Sequence, residues 1–233
     1  MQLSFTLIII IITALVSFSA FSSPKMVEQL IFYPPLVKRG QVYRFFSCGL
    51  IHADAGHLIF NMLALYIFGH GSRIETYDGV YQTGVEFQFT YIFGEKGKYI
   101  YFGMYVLALF ASLVPTYIKN INNYHYRSLG ASGGVSAVVF ASIMLSPMAG
   151  MGLFFIPIYF AGFLFGILYL LISNMLEKRG GDNINHSAHI FGALFGVGFT
   201  IIACQFFSFY PVLDAFVEQI KNANPRDFIR FGH

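Results

Sequence analysis

The chain has 233 residues, of which 56% are hydrophobic, 18% aromatic and only 11% charged, against about a quarter charged in soluble proteins. With a mean hydropathy of +0.64 this is a polytopic membrane protein, with room for roughly six or seven spans of ~20 residues and short loops, and not a soluble domain. The net charge of +3 comes from 14 basic and 11 acidic side chains without a basic run, which sets nucleic acid aside as a partner.

The first apolar segment, about 3 to 22, ends in Ser17, Ser19 and Ala20 as a secretory signal would. Its start lacks positive charge and its apolar run exceeds the usual ~7 to 15 residues, so it reads as a retained first span. From Ser23 to Gly56 the chain is too long and too apolar for a solvated loop, and Pro34-Pro35 breaks any continuous helix there. That stretch is expected to lie partly in the membrane interface. A second span covers about 55 to 74 and a third about 99 to 117. Between them, the alternation Val85-Glu86-Phe87-Gln88-Phe89-Thr90-Tyr91 predicts a short strand or an interfacial segment. Spans at about 132 to 147, 151 to 173 and 187 to 207 complete the set, the fifth with a kink at Pro157. After Pro211, Val212, Leu213, Phe216, Val217 and Ile220 share one face of a surface helix that ends before Pro225.

The expected fold is therefore an all-α membrane protein of six transmembrane helices, with one transmembrane domain over 1–210 and a short tail over 211–233. An even count puts both termini on one side of the bilayer. The positive-inside rule does not say which, because the loops carry six basic residues on one side and eight on the other. Cys48 and Cys204 support neither a disulfide framework nor a zinc site and read as two structural thiols.

The fourth span is unusual. Beginning at Ser132 after Gly130 and stopped by Pro147, it is about 24 Å long at ~1.5 Å per residue, short of a ~30 Å hydrocarbon core. One end must stop inside the membrane, which is tolerable only where other helices or a water-filled cavity surround it. Gly133, Ala137 and Ala141 line one face and Ser132 and Ser136 another, so neighbours can pack closely around it. This helix is expected at the centre of the bundle.

Polar groups at that depth are costly and are functional suspects. Ser132 opens the fourth span, where free backbone N–H groups and the positive end of the helix dipole converge on its hydroxyl. It reads either as a plain N-cap or as a nucleophile beside an oxyanion site. A nucleophilic serine needs a base within hydrogen-bond reach, and His189, just inside the last span and followed by Gly192 and Gly196, is the best candidate. Packing, or a metal shared with His186 one turn earlier, stand as its rivals. His57 and Asn61 lie on one face of the second span and are either oxyanion donors or an interhelical hydrogen-bonding pair. His52, Asp54 and His70 are expected to be solvated. With no carboxylate expected in the interior, a Ser-His dyad fits better than a triad; Asp182 in a loop reads as solvated.

Together, His52-x4-His57-x3-Asn61 in the second span, Gly130-Ala131-Ser132-Gly133 at the fourth and Ala188-His189-x2-Gly192-x3-Gly196 in the sixth resemble the rhomboid family of intramembrane serine proteases. Tyr43-Arg44 stands where the family often has Trp-Arg, and Phe68-Gly69 followed by Glu75 looks like the family's turn after its second span. The resemblance implies a six-helix rhomboid-like bundle in a bilayer, expected here to be a bacterial cytoplasmic membrane, with cytoplasmic termini and an outward-opening site. It implies Ser132 as nucleophile, His189 as general base and then acid, the Ser132 amide with His57 and Asn61 as oxyanion donors, transmembrane proteins as substrates, and neither cofactor nor metal. An inactive relative that binds or escorts membrane proteins is the alternative, and a metal or proton transporter using His57, His186 and His189 is a third reading. One departure stands out. Many members carry an aromatic residue four positions after the nucleophile, packed on the histidine, and that position here is Ser136.

Overall fold

The computed structural model describes residues 4–76, 79–152, 157–179 and 184–231. Helix α1, Phe5–Phe21, begins at Ser4, whose hydroxyl accepts the Leu7 amide at 3.2 Å. Its inward face carries Thr6, Ile9, Thr13, Ser17 and Ala20, while Ile11, Ile12, Leu15 and Phe18 are 47–65% exposed on the other. Small and polar groups inside with large apolar groups outside is the pattern of a helix whose outer face meets lipid.

The stretch expected in the interface folds into three short helices, α2 (Pro24–Leu30), α3 (Pro34–Lys38) and α4 (Arg44–Ser47). Prolines stand in the first turns of α2 and α3, where a missing N–H costs nothing. Arg44 locks this layer. Buried to 4% exposure, its Nη1 donates to the Glu28 and Ile31 carbonyls at 2.8 and 2.7 Å and its Nε to Gln41 at 2.7 Å.

Helix α5, Ala55–Leu65, runs on through a π-helical turn, Tyr66–His70. Within it Gly69 abuts Tyr101 and Thr6, leaving no room for a Cβ, and Gly71, with a φ of +72°, ends it. Strands β1 (Arg73–Thr76) and β2 (Gly79–Gln82) then pair antiparallel. The segment expected as a strand at 85 to 91 is instead helix α6, Val85–Phe93. Its alternating apolar residues also fall at i and i+4, so Val85 and Phe89 share a buried face. Tertiary packing selects that period. Glu86 on this face accepts the Phe5 and Thr6 amides at 2.7 and 3.0 Å and the Thr6 hydroxyl at 2.8 Å, capping α1. An interior carboxylate therefore exists, and it serves the start of α1.

Helix α7, Gly97–Asn120, leads to α8, Ser132–Leu145. All of the 14 residues of α8 except Ser132 and Val139 are buried, so the short helix is central, as its length requires. The fifth expected span is not one helix from 151. Strand β3 (Gly150–Gly152) pairs with β4 (Ile158–Ala161), and helix α9 begins only at Gly162 and ends at Arg179. Pro157 precedes β4 rather than kinking a helix. Gly150, Gly152 and Pro157 disfavour helix, and Ile158-Tyr159-Phe160 suits a strand. Helix α10, His186–Phe207, packs most extensively on α8 and α7. Helix α11, Val212–Lys221, lies against α8, and β5 (Ile229–Phe231) completes a three-stranded sheet beside β4.

Among the described residues two helical stretches, Val85–Asn120 and His186–Phe207, are long and apolar enough to cross a membrane alone. Arg44–Leu50 with Ala55–His70, bent by 99°, makes a third if counted as one span, and Phe5–Phe21 and Ser132–Leu145 are apolar but shorter. By length and composition this falls short of the six spans expected.

The tightest contact is between α8 and α10. A Cβ on Gly192 would strike the backbone of Gly133, and one on Gly196 that of Ala137. Gly196→Leu should force the helices apart and lower stability by about 1–3 kcal/mol, read as an earlier thermal transition in detergent micelles. Glu86→Ala should leave the Phe5 and Thr6 donors without an acceptor, at about 1–3 kcal/mol for each buried group, and appear in the same melt.

Candidate functional site

Ser132 is the first residue of α8 and is half-buried. The segment before it is pinned at Ser128, Gly130 and Ala131. Phe32 and Ser128 exchange backbone hydrogen bonds at 2.9 and 3.1 Å, and the Gly130 amide donates to the Cys48 carbonyl at 2.9 Å. Gly130 has a φ of +115°, which only glycine adopts without strain, and this turn swings the chain into the helix. The Ala131 amide then donates to His52 Nε2 at 3.3 Å.

His52 is 2% exposed rather than solvated as expected. Because its Nε2 accepts a hydrogen, the proton resides on Nδ1, which donates to Ser17 Oγ at 2.9 Å; Ser17 in turn donates to the Leu50 carbonyl at 2.9 Å. A neutral imidazole thus ties α1 to the segment that presents Ser132. Its ring also meets the edge of His57, with centroids 4.9 Å apart and planes at 77°.

His57 lies beside the same segment, its Cε1 and Nε2 being 2.8 and 3.0 Å from where a Gly130 Cβ would stand. Asp54 is exposed and caps α5, accepting the His57 amide at 2.8 Å. Asn61 is buried, and its side-chain amide donates to the His57 carbonyl at 3.0 Å, which uses one of its two N–H bonds. Both candidate oxyanion donors therefore sit on α5, with His57 against the turn into α8.

His189 belongs to the first turn of α10 and is half-buried. Asn185 fixes that turn: its Oδ1 accepts the Ala188 amide at 3.0 Å and the Thr116 hydroxyl at 3.2 Å, and its Nδ2 reaches Ser128 Oγ at 3.4 Å. Glu177 of α9 accepts the Ser187 amide at 3.1 Å and pairs with Lys119 at 3.0 Å. The start of α10 is thereby joined to the chain four residues before Ser132. A Gly133 Cβ would lie 3.6 Å from the Ala188 carbonyl, and Gly192 abuts the Gly133 backbone, so the residues flanking His189 rest on the residue after Ser132. A cavity of about 10 Å³ is lined by Ser132, Gly133, Ser128, Asn185 and Ala188 among others, space for about one water.

The His189 ring meets the edge of His186 at 5.8 Å and 80°, and lies nearly parallel to Tyr169 of α9 at 6.3 Å and 23°. Neither Tyr169 nor the buried role of His52 follows from spacing along the chain. Among the described residues no three His, Cys, Asp or Glu side chains converge on a metal position. Asp182 lies outside the described residues.

RHOMBOID-like protein 12, mitochondrial, of Arabidopsis thaliana is 29% identical over 161 residues, covering 67% of this chain and 45% of that protein. The chain spans less than half the length of this relative, whose mitochondrial name lends no support to a bacterial cytoplasmic membrane. The Rhomboid domain matches residues 39–206, a range that takes in Arg44, His52, His57, Asn61, Ser132 and His189. A match over well over half of the sequence makes this chain a member of the rhomboid family.

Proposed function

We propose that the chain is an intramembrane serine endopeptidase that cuts transmembrane segments of membrane proteins through a Ser132–His189 dyad. The observation that carries this reading is the seating of α10 on the first turn of α8, where Ala188 and Gly192, on either side of His189, meet Gly133 beside Ser132. A hydroxyl at the start of a central helix, with an imidazole brought in by a close-packed neighbour, has what nucleophilic catalysis needs.

In the proposed reaction Ser132 Oγ attacks the scissile carbonyl while its proton passes to His189. The oxyanion that forms accepts hydrogen bonds from the Ser132 amide, His57 and Asn61. His189 then protonates the departing amine, leaving an acyl-enzyme on Ser132. It next takes a proton from water, whose oxygen attacks the ester, and returns that proton to Ser132 Oγ as the ester C–O bond breaks. A substrate helix must unwind to offer its carbonyl, so segments of small, helix-weak residues suit the site best. The membrane arrangement that goes with this chemistry has α1, α5, α7, α8, α9 and α10 as six spans over 1–210. Both termini are cytoplasmic, and the tail over 211–233 carries α11 against α8.

Purified protein should cleave a transmembrane reporter, and Ser132→Ala should abolish cleavage; undiminished cleavage would end the assignment. Fluorophosphonate should label Ser132 and fail to label His189→Ala, whereas a folded chain that neither labels nor cleaves is a binding or escort protein. His57→Ala and Asn61→Ala should each lower kcat by roughly 100- to 1,000-fold, about 2.7–4 kcal/mol of barrier, with labelling at Ser132 retained. His52→Ala should lower the melting temperature through the loss of two buried hydrogen bonds, about 1–3 kcal/mol for each group left unpaired. It should slow labelling as well, because the segment ahead of Ser132 is released.

A further inference from the structure

We propose that Tyr169 of α9 is a positioning residue for His189, holding the imidazole in its working orientation from a helix that carries none of the dyad. The inference rests on the protease reading above and names a part of the site that the dyad itself leaves undetermined.

The geometry has three components. The Tyr169 and His189 rings lie 6.3 Å apart at 23°, an offset stack within the range in which aromatic faces attract. The Tyr169 hydroxyl and Ser136 Oγ are 2.8 Å apart, so the far end of the tyrosine is tied to α8 one turn beyond Ser132. Phe140, a further turn along α8, meets the Tyr169 ring at 5.6 Å and 56°. Close approach of the helices makes this possible: a Cβ on Gly166 would stand 3.1 Å from Ile143 and 3.3 Å from Phe140, so α9 comes down onto α8 one turn before Tyr169.

Ser136 thereby acquires a function. A large side chain there would occupy the space into which the Tyr169 hydroxyl reaches, whereas serine leaves room and supplies a partner. The platform under His189 comes from α9, and the residue four after Ser132 anchors it. Among the described residues, His186, in edge contact on the same helix, and Glu177 of α9, which holds the Ser187 amide, are titratable groups near His189.

The test compares Tyr169→Leu, which fills the space without a ring, with Tyr169→Phe, which keeps the ring and loses the hydroxyl. The rate of fluorophosphonate labelling at Ser132 is followed against pH, and the thermal transition of each variant is recorded. Tyr169→Leu should melt close to the unsubstituted protein yet label roughly 10- to 100-fold more slowly, as misplacement of a catalytic group does, with the midpoint of its pH profile displaced. Tyr169→Phe should stay within about fivefold, the loss expected for one neutral hydrogen bond, with the midpoint unmoved. If Tyr169→Leu does not fold, Tyr169→Met, a flexible filler, takes its place. Equal labelling rates and midpoints in the Leu and unsubstituted proteins would overturn the proposal. Should the folded unsubstituted protein fail to label at all, the protease reading falls. The His189 ring titration, read by NMR on histidine-labelled protein and assigned apart from His186 by His189→Gln, then decides. A midpoint moved by Leu and not by Phe sustains the positioning role, and an unmoved one rejects it.

Discussion

Everything at the centre of this molecule depends on two helices touching backbone to backbone. Where Gly192 meets Gly133 and Gly196 meets Ala137, α8 and α10 have no side chains between them. Lipid is as apolar as leucine, so helices in a bilayer gain little from burying apolar side chains against each other and must associate through close packing and hydrogen bonds. Glycine and alanine at four-residue spacing supply the first. The same spacing brings the first turns of both helices level, and the turn of α10 that carries His189 rests on the turn of α8 that carries Ser132.

Hydrogen bonding supplies the rest, and it is arranged as a set of closed chains. His52 links Ala131 to Ser17 and Leu50; Asn185 links Ala188 to Thr116 and Ser128; Glu86 gathers the first amides of α1; Arg44 gathers carbonyls from α2 and the residue after it. Each group would be expensive to bury alone, and each joins segments distant in sequence. Many of these bonds fall between the spans or on the first turns of helices. That suits a candidate site whose serine stands at a helix start, where the backbone is least held by its own helix.

Much of the candidate site can be named from the chain because it depends on local spacing. His57 with Asn61, Ser132 among glycines and alanine, and His189 ahead of Gly192 and Gly196 are patterns within a single helix or turn, and the short, buried α8 followed from its bounding residues. What escaped depends on partners elsewhere in the chain. The Val85–Tyr91 alternation fits a strand until Glu86 and Phe89 find α1 and the core, after which helix places both. The apolar run from Met151 looked continuous because β5, which turns part of it into a sheet, lies some seventy residues further on. His52 looked solvated at the end of a span because nothing nearby in sequence announces that α1 and the Ala131 segment will enclose it. Tyr169 is one of many apolar residues in its helix, and only the assembled bundle distinguishes it.

The helix that bears Tyr169 is attached unevenly. At its start, β4 leads straight into α9 and is paired on both sides, by β3 and by the chain's own closing strand. Tyr169 sits within the helix, against both α8 and His189. A sideways excursion of α9, of the size needed to let another helix slip between it and the bundle, would pivot about that tethered end and carry the aromatic plate off the imidazole. Opening the wall and unseating the His189 ring are, in this architecture, a single mechanical event.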